Sequence, residues 1–243
     1  MHASKPLLLR SIAVVLSLLF IVALLFFSLQ WTIDRPGFFF DKYEKLDHAK
    51  YMGMHTQELA AATVRMIDYM AGRADSIDIE VTVSGEKVSM FNDRERAHMV
   101  DVRALYQSFR TFSYIALALF AALLAFFGGT IVYEKGGKQS SLRVSGARAF
   151  LRASCIFSLL VVALGAWVLI DFNSFWTSFH LLFFTNDLWI LDPATSRMIN
   201  MMPLQLFYDI VLRFAALFLG IWAGCMAICL LLLRRGKMRQ AKA

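Results

Sequence analysis

The chain has 243 residues, a formal net charge of +7, and 58% hydrophobic against 18% charged residues. Soluble domains carry roughly 45–50% and 25%, so the composition excludes an ordinary soluble domain and points to an integral membrane protein. The basic excess is gathered in three short segments, so it reads as membrane topology and argues against nucleic acid or an acidic substrate as partner.

Four apolar runs are long enough to cross a hydrocarbon core of about 30 Å, which takes about 20 residues as a helix. Residues 1–31 hold the first transmembrane helix. Its apolar run exceeds the 7–15 residues usual in a signal peptide, and no small-x-small cleavage site follows, so a retained anchor is expected. Residues 32–108 form an extracytoplasmic cap and stalk. The cap opens on the turn signal Arg35-Pro36-Gly37, and Phe38, Phe39 and Phe40 are expected at the lipid boundary. Thr56–Tyr69 has helical spacing, with Leu59, Thr63, Met66, Ile67 and Met70 on one face. Ser76–Met90 alternates and turns at Ser84-Gly85, which predicts a β-hairpin whose Gly85, Glu86 and Lys87 face water.

Asn92 with Glu95 three residues on reads as a capping box. The helix it starts meets no breaker until Gly128, so the second transmembrane helix, 109–133, is expected to project outward as a stalk from Asp93. Arg110 would mark the outer lipid boundary. A basic cytoplasmic loop (134–152), the third transmembrane helix (153–170), an aromatic interfacial segment (171–209), the fourth transmembrane helix (210–233) and a basic cytoplasmic tail (234–243) follow. The fold class expected is integral membrane and mainly α: four transmembrane helices with a small α+β extracytoplasmic cap.

The three basic segments hold Lys5 and Arg10; Lys135, Lys138, Arg143, Arg148 and Arg152; and Arg234, Arg235, Lys237, Arg239 and Lys242. Their only acid is Glu134. The positive-inside rule then puts both termini and the 134–152 loop in the cytoplasm and the cap on the outer face of the membrane. Phe172–Leu191 is long enough for a fifth span, but a crossing there would strand the basic tail outside. It would also bury Asp187, which costs about 2.5–3.5 kcal/mol at a helix centre. An interfacial or re-entrant segment is expected instead.

That segment carries the most chemistry. Seven aromatic residues lie between Asp171 and Asp192, together with His180, Asn186 and Asp187. No H-E-x-x-H, G-x-S-x-G or cofactor motif occurs. Cys155, Cys225 and Cys229 stand without histidine or acid company and read as packing; no metal site is expected. His98, on the stalk, has Asp101 three residues later on the same face, placed to accept the second imidazole N–H. His98 and His180 fall at similar outer depth, which suits an acid–base pair. Ser174, Thr177 or Ser178 activated by histidine is the alternative nucleophile. Asp192-Pro193 predicts a turn, and Asp209 with Arg213, four apart, an ion pair.

Glu95–Val102 (E-R-A-H-M-V-D-V) resembles the bacterial lipoprotein intramolecular transacylases, the Lit family. So do F-H-x-x-F-F-x-N-D-x-W-x-L-D-P at Phe179–Pro193 and M-I-N-M-M-P at Met198–Pro203, as does the four-span layout. The resemblance implies a substrate class, diacylglyceryl-modified bacterial lipoproteins, met at the surface of membrane lipid. It implies transfer of the sn-2 acyl chain to the α-amine of the N-terminal cysteine, giving a lyso-form lipoprotein. It carries the two catalytic histidines over to His98 and His180. On that reading Asp101, Asn186, Trp189 and Asp192 support them, and Trp176, Phe179, Phe183 and Tyr43 wall the substrate pocket. Asn186, Trp189 or Tyr43 would donate to an oxyanion. A non-catalytic lipid-binding accessory protein and a serine-dependent membrane esterase stand as alternatives.

Overall fold

The computed structural model describes residues 4–133 and 139–240. In chain order the elements are α1 (Ser4–Ile33), α2 (Pro36–Leu46), α3 (His48–Tyr51), α4 (Thr56–Ala71), β1 (Glu80–Val83) and β2 (Glu86–Ser89). After them come α5 (Asp93–Tyr133), α6 (Gln139–Ile170), α7 (Phe172–Phe183), α8 (Arg197–Asn200) and α9 (Leu204–Gln240). Among the described residues four helices, α1, α5, α6 and α9, are long and apolar enough to cross a membrane. The fold is the expected one, an integral membrane, mainly α protein with a small two-stranded sheet. With 12 residues, α7 reaches only about 18 Å, short of the roughly 30 Å of a hydrocarbon core.

Two elements outrun their expected limits. The 41 residues of α5 span roughly 60 Å, and the helix passes through Gly128. Helix α6 begins at Gln139, so positions 143, 148 and 152 of the expected loop lie on a helix. Lys135, Lys138 and Lys242 lie outside the described residues.

The chain divides into two compact units. One takes the described residues up to Ser28, Thr111–Phe172 and those from Ala216 onward. Aromatic contacts knit its helices. Phe20 on α1 stacks on Phe120 of α5 with centroids 4.2 Å apart. Phe157 on α6 meets Phe218 and Trp222 on α9. Trp222 Nε1–H donates to Ser154 Oγ at 3.1 Å, which satisfies a polar pair where water is scarce.

The other unit comprises Leu29–Arg110 and Asn173–Ala215. Its core gathers Phe38, Phe39, Tyr43, Leu59, Ile67, Val81, Met90, Phe91, Met201 and Leu206. Pro36 pre-sets the first turn of α2. The helix lays Phe38 and Phe39 into this core instead of at a lipid boundary. The hairpin has the expected register, with Val83 opposite Glu86. Ser84 (φ 52°) and Gly85 (φ 91°) form its two-residue loop, the backbone of a type I′ turn. Glu58 on α4 accepts from Thr82 N and Oγ1, pinning the hairpin to the helix.

Arg110, expected at the outer lipid boundary, donates to Ala71 O at 2.6 Å and caps the C-terminal end of α4, where a cation is favoured. One further expectation changes here. Asp209 pairs with Lys42 rather than Arg213. The Arg213 guanidinium lies over the Phe38 ring, 4.3 Å from its centroid. Helix α2 supplies both competing partners, which spacing along α9 could not reveal.

Candidate active site

The site lies within the second unit and starts at the N-terminus of α5. Asn92 Oδ1 accepts from Glu95 N at 2.9 Å, and Glu95 Oε2 accepts from Asn92 N at 2.7 Å, closing the expected capping box. Glu95 is fully buried. Its other oxygen, Oε1, accepts from Ser196 Oγ (2.6 Å) and Met198 N (2.9 Å), tying the M-I-N-M-M-P segment to α5. His98 follows on the next turn of that anchored end.

Helix α7 brings the second histidine. The His98 and His180 rings lie 6.5 Å apart, and both residues are buried. Aromatic rings enclose His180: Trp176 at 4.4 Å, Phe179 at 5.3 Å and Phe184 at 5.7 Å. Trp189 stacks on it at 4.6 Å and 24°. Phe184 also meets His98 edge-on at 5.3 Å, so it touches both imidazoles. Phe183 packs on Phe179 and Phe109. Trp176, Phe179 and Phe183 keep substantial exposure, so α7 shows an apolar aromatic face outward.

Hydrogen bonds separate the two histidines. His180 Nδ1 lies 2.7 Å from Trp176 O. A carbonyl only accepts, so the network assigns the proton to Nδ1 and leaves Nε2 as the basic nitrogen of the neutral ring. His98 Nδ1 is buried and has no partner among the described residues, and the same is true of Trp189 Nε1. Burial lowers the His98 pKa from its ordinary 6.5; the neighbouring His180 lowers it too, and Asp101 partly opposes them. His98 therefore favours its neutral form more than an ordinary histidine does. Like charge also disfavours the doubly protonated pair.

Several expected supports stand elsewhere. Asp101 does not accept from His98; its Oδ2 accepts from Asn186 Nδ2 at 2.8 Å. Asn186 Oδ1 in turn accepts from Leu188 N. Asp192 does not support a histidine. Its Oδ1 accepts from Ala194 N at 2.9 Å, and its carbonyl accepts from Thr195 N and Ser196 N, which builds the Asp-Pro turn. Tyr43 is absent from the aromatic walls. It is fully buried in the cap core, where its hydroxyl joins Thr63 Oγ1 at 2.8 Å and donates to Met201 O at 2.9 Å. Burial, partly offset by the Thr63 bond, pushes its pKa up to about 12.

Phe184 and Arg94 join the site beyond the residues expected from sequence. Phe184 stands four residues after His180, a spacing that already placed it over the same ring. Arg94 donates from Nε to Ile190 O at 3.1 Å and from Nη2 to Asp187 O. These carbonyls flank Trp189, so Arg94 holds the segment that stacks on His180. Among the described residues no three His, Cys, Asp or Glu side chains converge as a metal cage.

The family model described as "Lipoprotein intramolecular transacylase Lit" matches residues 14–207. The in meso structure of the membrane integral lipoprotein intramolecular transacylase Lit from Bacillus cereus shares the fold. Its TM-score is 0.68 at 18% identity, over 95% of this chain and 98% of that one. Two variants of the Bacillus cereus protein give the same TM-score of 0.68. One, with a histidine-to-alanine mutation, is 18% identical over 96% and 97% of the two chains. The other, with a histidine-to-arginine mutation, is 17% identical over 97% and 96%. No curated protein sequence matches significantly.

Proposed function

The chain belongs to the lipoprotein intramolecular transacylase Lit family, and from that premise we propose that His98 and His180 carry an O-to-N acyl transfer within one lipoprotein. The substrate is a lipoprotein whose N-terminal cysteine bears an S-diacylglyceryl group and a free α-amine. The sn-2 acyl chain moves to that amine and leaves a lyso-form product. The observation that carries this reading is the pair of buried imidazoles 6.5 Å apart inside aromatic walls.

The amine nitrogen attacks the ester carbonyl, and one histidine takes a proton from nitrogen. The tetrahedral intermediate then expels the glycerol alkoxide, which takes a proton from the other histidine. An α-amine has a pKa near 8, so most of it arrives as ammonium at pH 7. Nitrogen therefore sheds two protons in all; one ends on the glycerol oxygen and the other leaves to water. A pair that resists double protonation passes these protons one at a time.

Attack closes an eight-membered ring, which forms slowly unless both ends are held near each other. The aromatic walls supply that hold and exclude water that would hydrolyse the ester. Of the three donors considered for the oxyanion, Trp189 retains a buried N–H without a partner. Tyr43 is committed to the cap core, and Asn186 is exposed and bonded to Asp101. Under this reading both termini lie in the cytoplasm and the cap on the outer face, where the exposed aromatic side of α7 meets the lipid-borne substrate.

Mass spectrometry of lipoprotein N-terminal peptides from cells tests it. His98→Ala or His180→Ala should leave lipoproteins diacylated with a free amine at normal protein level. Continued N-acyl lyso-form in both variants would overturn the assignment. Release of free fatty acid with a bare amine would instead indicate the esterase using Ser178 or Ser174.

A further inference from the structure

We infer that the Asp101 carboxylate, held by Asn186, is the subsite that receives the positively charged α-amine of the substrate. The inference rests on the function proposed above and adds to it a recognition element for the reacting group.

Asp101 lies one turn along α5 from His98, a spacing that puts their Cβ atoms about 5–6 Å apart on one face. It is half-buried. Its one hydrogen-bond partner among the described residues is the neutral amide of Asn186, bound to Oδ2. No lysine or arginine among the described residues forms an ion pair with it. Four other carboxylates of the same unit differ, whereas Glu58, like Asp101, is half-buried and held only by neutral donors, in its case at the hairpin. Asp34 and Asp68 pair with Arg73, Asp93 with Arg96, and Asp209 with Lys42. Asp101 is thus a half-buried carboxylate beside the histidine pair, held in place but not neutralised.

Its holder has a matching position. Asn186 follows α7 and precedes Trp189 in the segment stacked on His180, so the Asn186–Asp101 bond joins the two strips of chain that carry the histidines. An amide donor fixes the carboxylate without cancelling its charge. The second oxygen, Oδ1, is left for a cation, and an N-terminal ammonium brings three donors.

The charge also serves the next step. After the ammonium passes its proton to His98, the positive charge sits on the imidazolium, and the same carboxylate favours that form. Asp101 therefore faces one positive charge before and after proton transfer. The bond made is N–H to imidazole and the bond broken is N–H of the ammonium; the electron pair stays on the amine for its attack.

A binding measurement separates this subsite from catalysis. The full-length protein in lipid nanodiscs is given a diacylglyceryl-cysteinyl peptide whose sn-2 chain is ether-linked and so cannot transfer. Its desamino counterpart is measured in parallel. At pH 7 the wild type should bind the amine form about tenfold more tightly, the scale of one charge-assisted hydrogen bond. Asp101→Asn should bind both forms alike and keep the wild-type affinity for the desamino peptide. As an independent arm, the wild-type preference should vanish as pH rises well above the amine pKa near 8. Equal binding of the two peptides by wild type at pH 7 would overturn the inference. So would a preference that survives Asp101→Asn or persists at pH 10. Because the probe never reacts, a failed histidine test leaves these outcomes readable, and failure here leaves the histidine assignment standing.

Discussion

Tyr43 and His98 are both buried in the same unit, yet the polar atoms of their side chains are treated in opposite ways. The Tyr43 hydroxyl sits between Thr63 Oγ1 and Met201 O. Glu95, fully buried one turn before His98, distributes its two oxygens over Asn92 N, Ser196 Oγ and Met198 N. Around His98 and Trp189 the opposite holds, with two buried nitrogens lacking partners. A buried polar group without a partner costs about 1–3 kcal/mol. Gln30 Oε1 and Glu58 Oε2 of the same unit also lack partners, so what distinguishes His98 Nδ1 and Trp189 Nε1 is that they sit together around a second histidine. An unsatisfied pair beside a second histidine marks groups left for a substrate. One short stretch of α5 thus turns a satisfied residue toward the scaffold and an unsatisfied one toward the chemistry.

The sharpest way to break this contrast is to remove each side in turn. Losing either histidine should lower transacylation by about 10²–10⁴, the usual scale of acid–base catalysis. For His98→Ala the melting temperature in detergent should change little, since no hydrogen bond to the fold is lost there; His180→Ala gives up the bond to Trp176 O and should lower it. Glu95→Leu should do the reverse. It orphans two backbone N–H groups and the Ser196 hydroxyl, and should cost on the order of 3 kcal/mol of stability. Thermal unfolding should show that loss directly, with activity falling in step with the folded fraction. A stable, inactive Glu95→Leu protein would move Glu95 from scaffold to chemistry. Tyr43→Phe is the milder test, leaving Met201 O unpaired for about 1 kcal/mol. Turnover by the folded fraction should be unchanged, and a large drop in its kcat would return Tyr43 to the substrate pocket.

How far the sequence carried these assignments depended on the range of the interaction. The Asn92–Glu95 box, the Ser84-Gly85 turn and the four apolar runs are local signals, complete within one turn or one span. The structure has all of them. A triplet of phenylalanines suits a lipid boundary as well as a core, and the packing of α2 against α4 decides for the core at Phe38 and Phe39. The i,i+3 spacing pairs Asp101 with His98, but its hydrogen-bond partner, Asn186, lies 85 residues away. The second role of Glu95 was hidden for the same reason, since Ser196 is 101 residues distant. The histidine pair is legible from the common outer depth of His98 and His180, and the resemblance of the two motifs adds the catalytic role. Phe184, which touches both rings, was within reach of simple helical spacing from His180.

The smallest expected effects are the most specific, because they read the electrostatics of the site without turnover. In the free protein the His98 ring should titrate below 6.5, as burial and the neighbouring His180 both disfavour its charged form. Asp101 opposes them, so Asp101→Asn should move the titration lower still. An asparagine there can continue to accept from Asn186, which keeps the local geometry. His180→Ala removes the like-charge neighbour and should move the His98 titration up. NMR of selectively labelled histidine rings in nanodiscs follows each shift, and the signs are opposite for the two variants. A wild-type value above 6.5, or shifts of the same sign, would mean that His98 is solvated or paired like an ordinary surface histidine. The contrast with Tyr43 would then lose its physical basis.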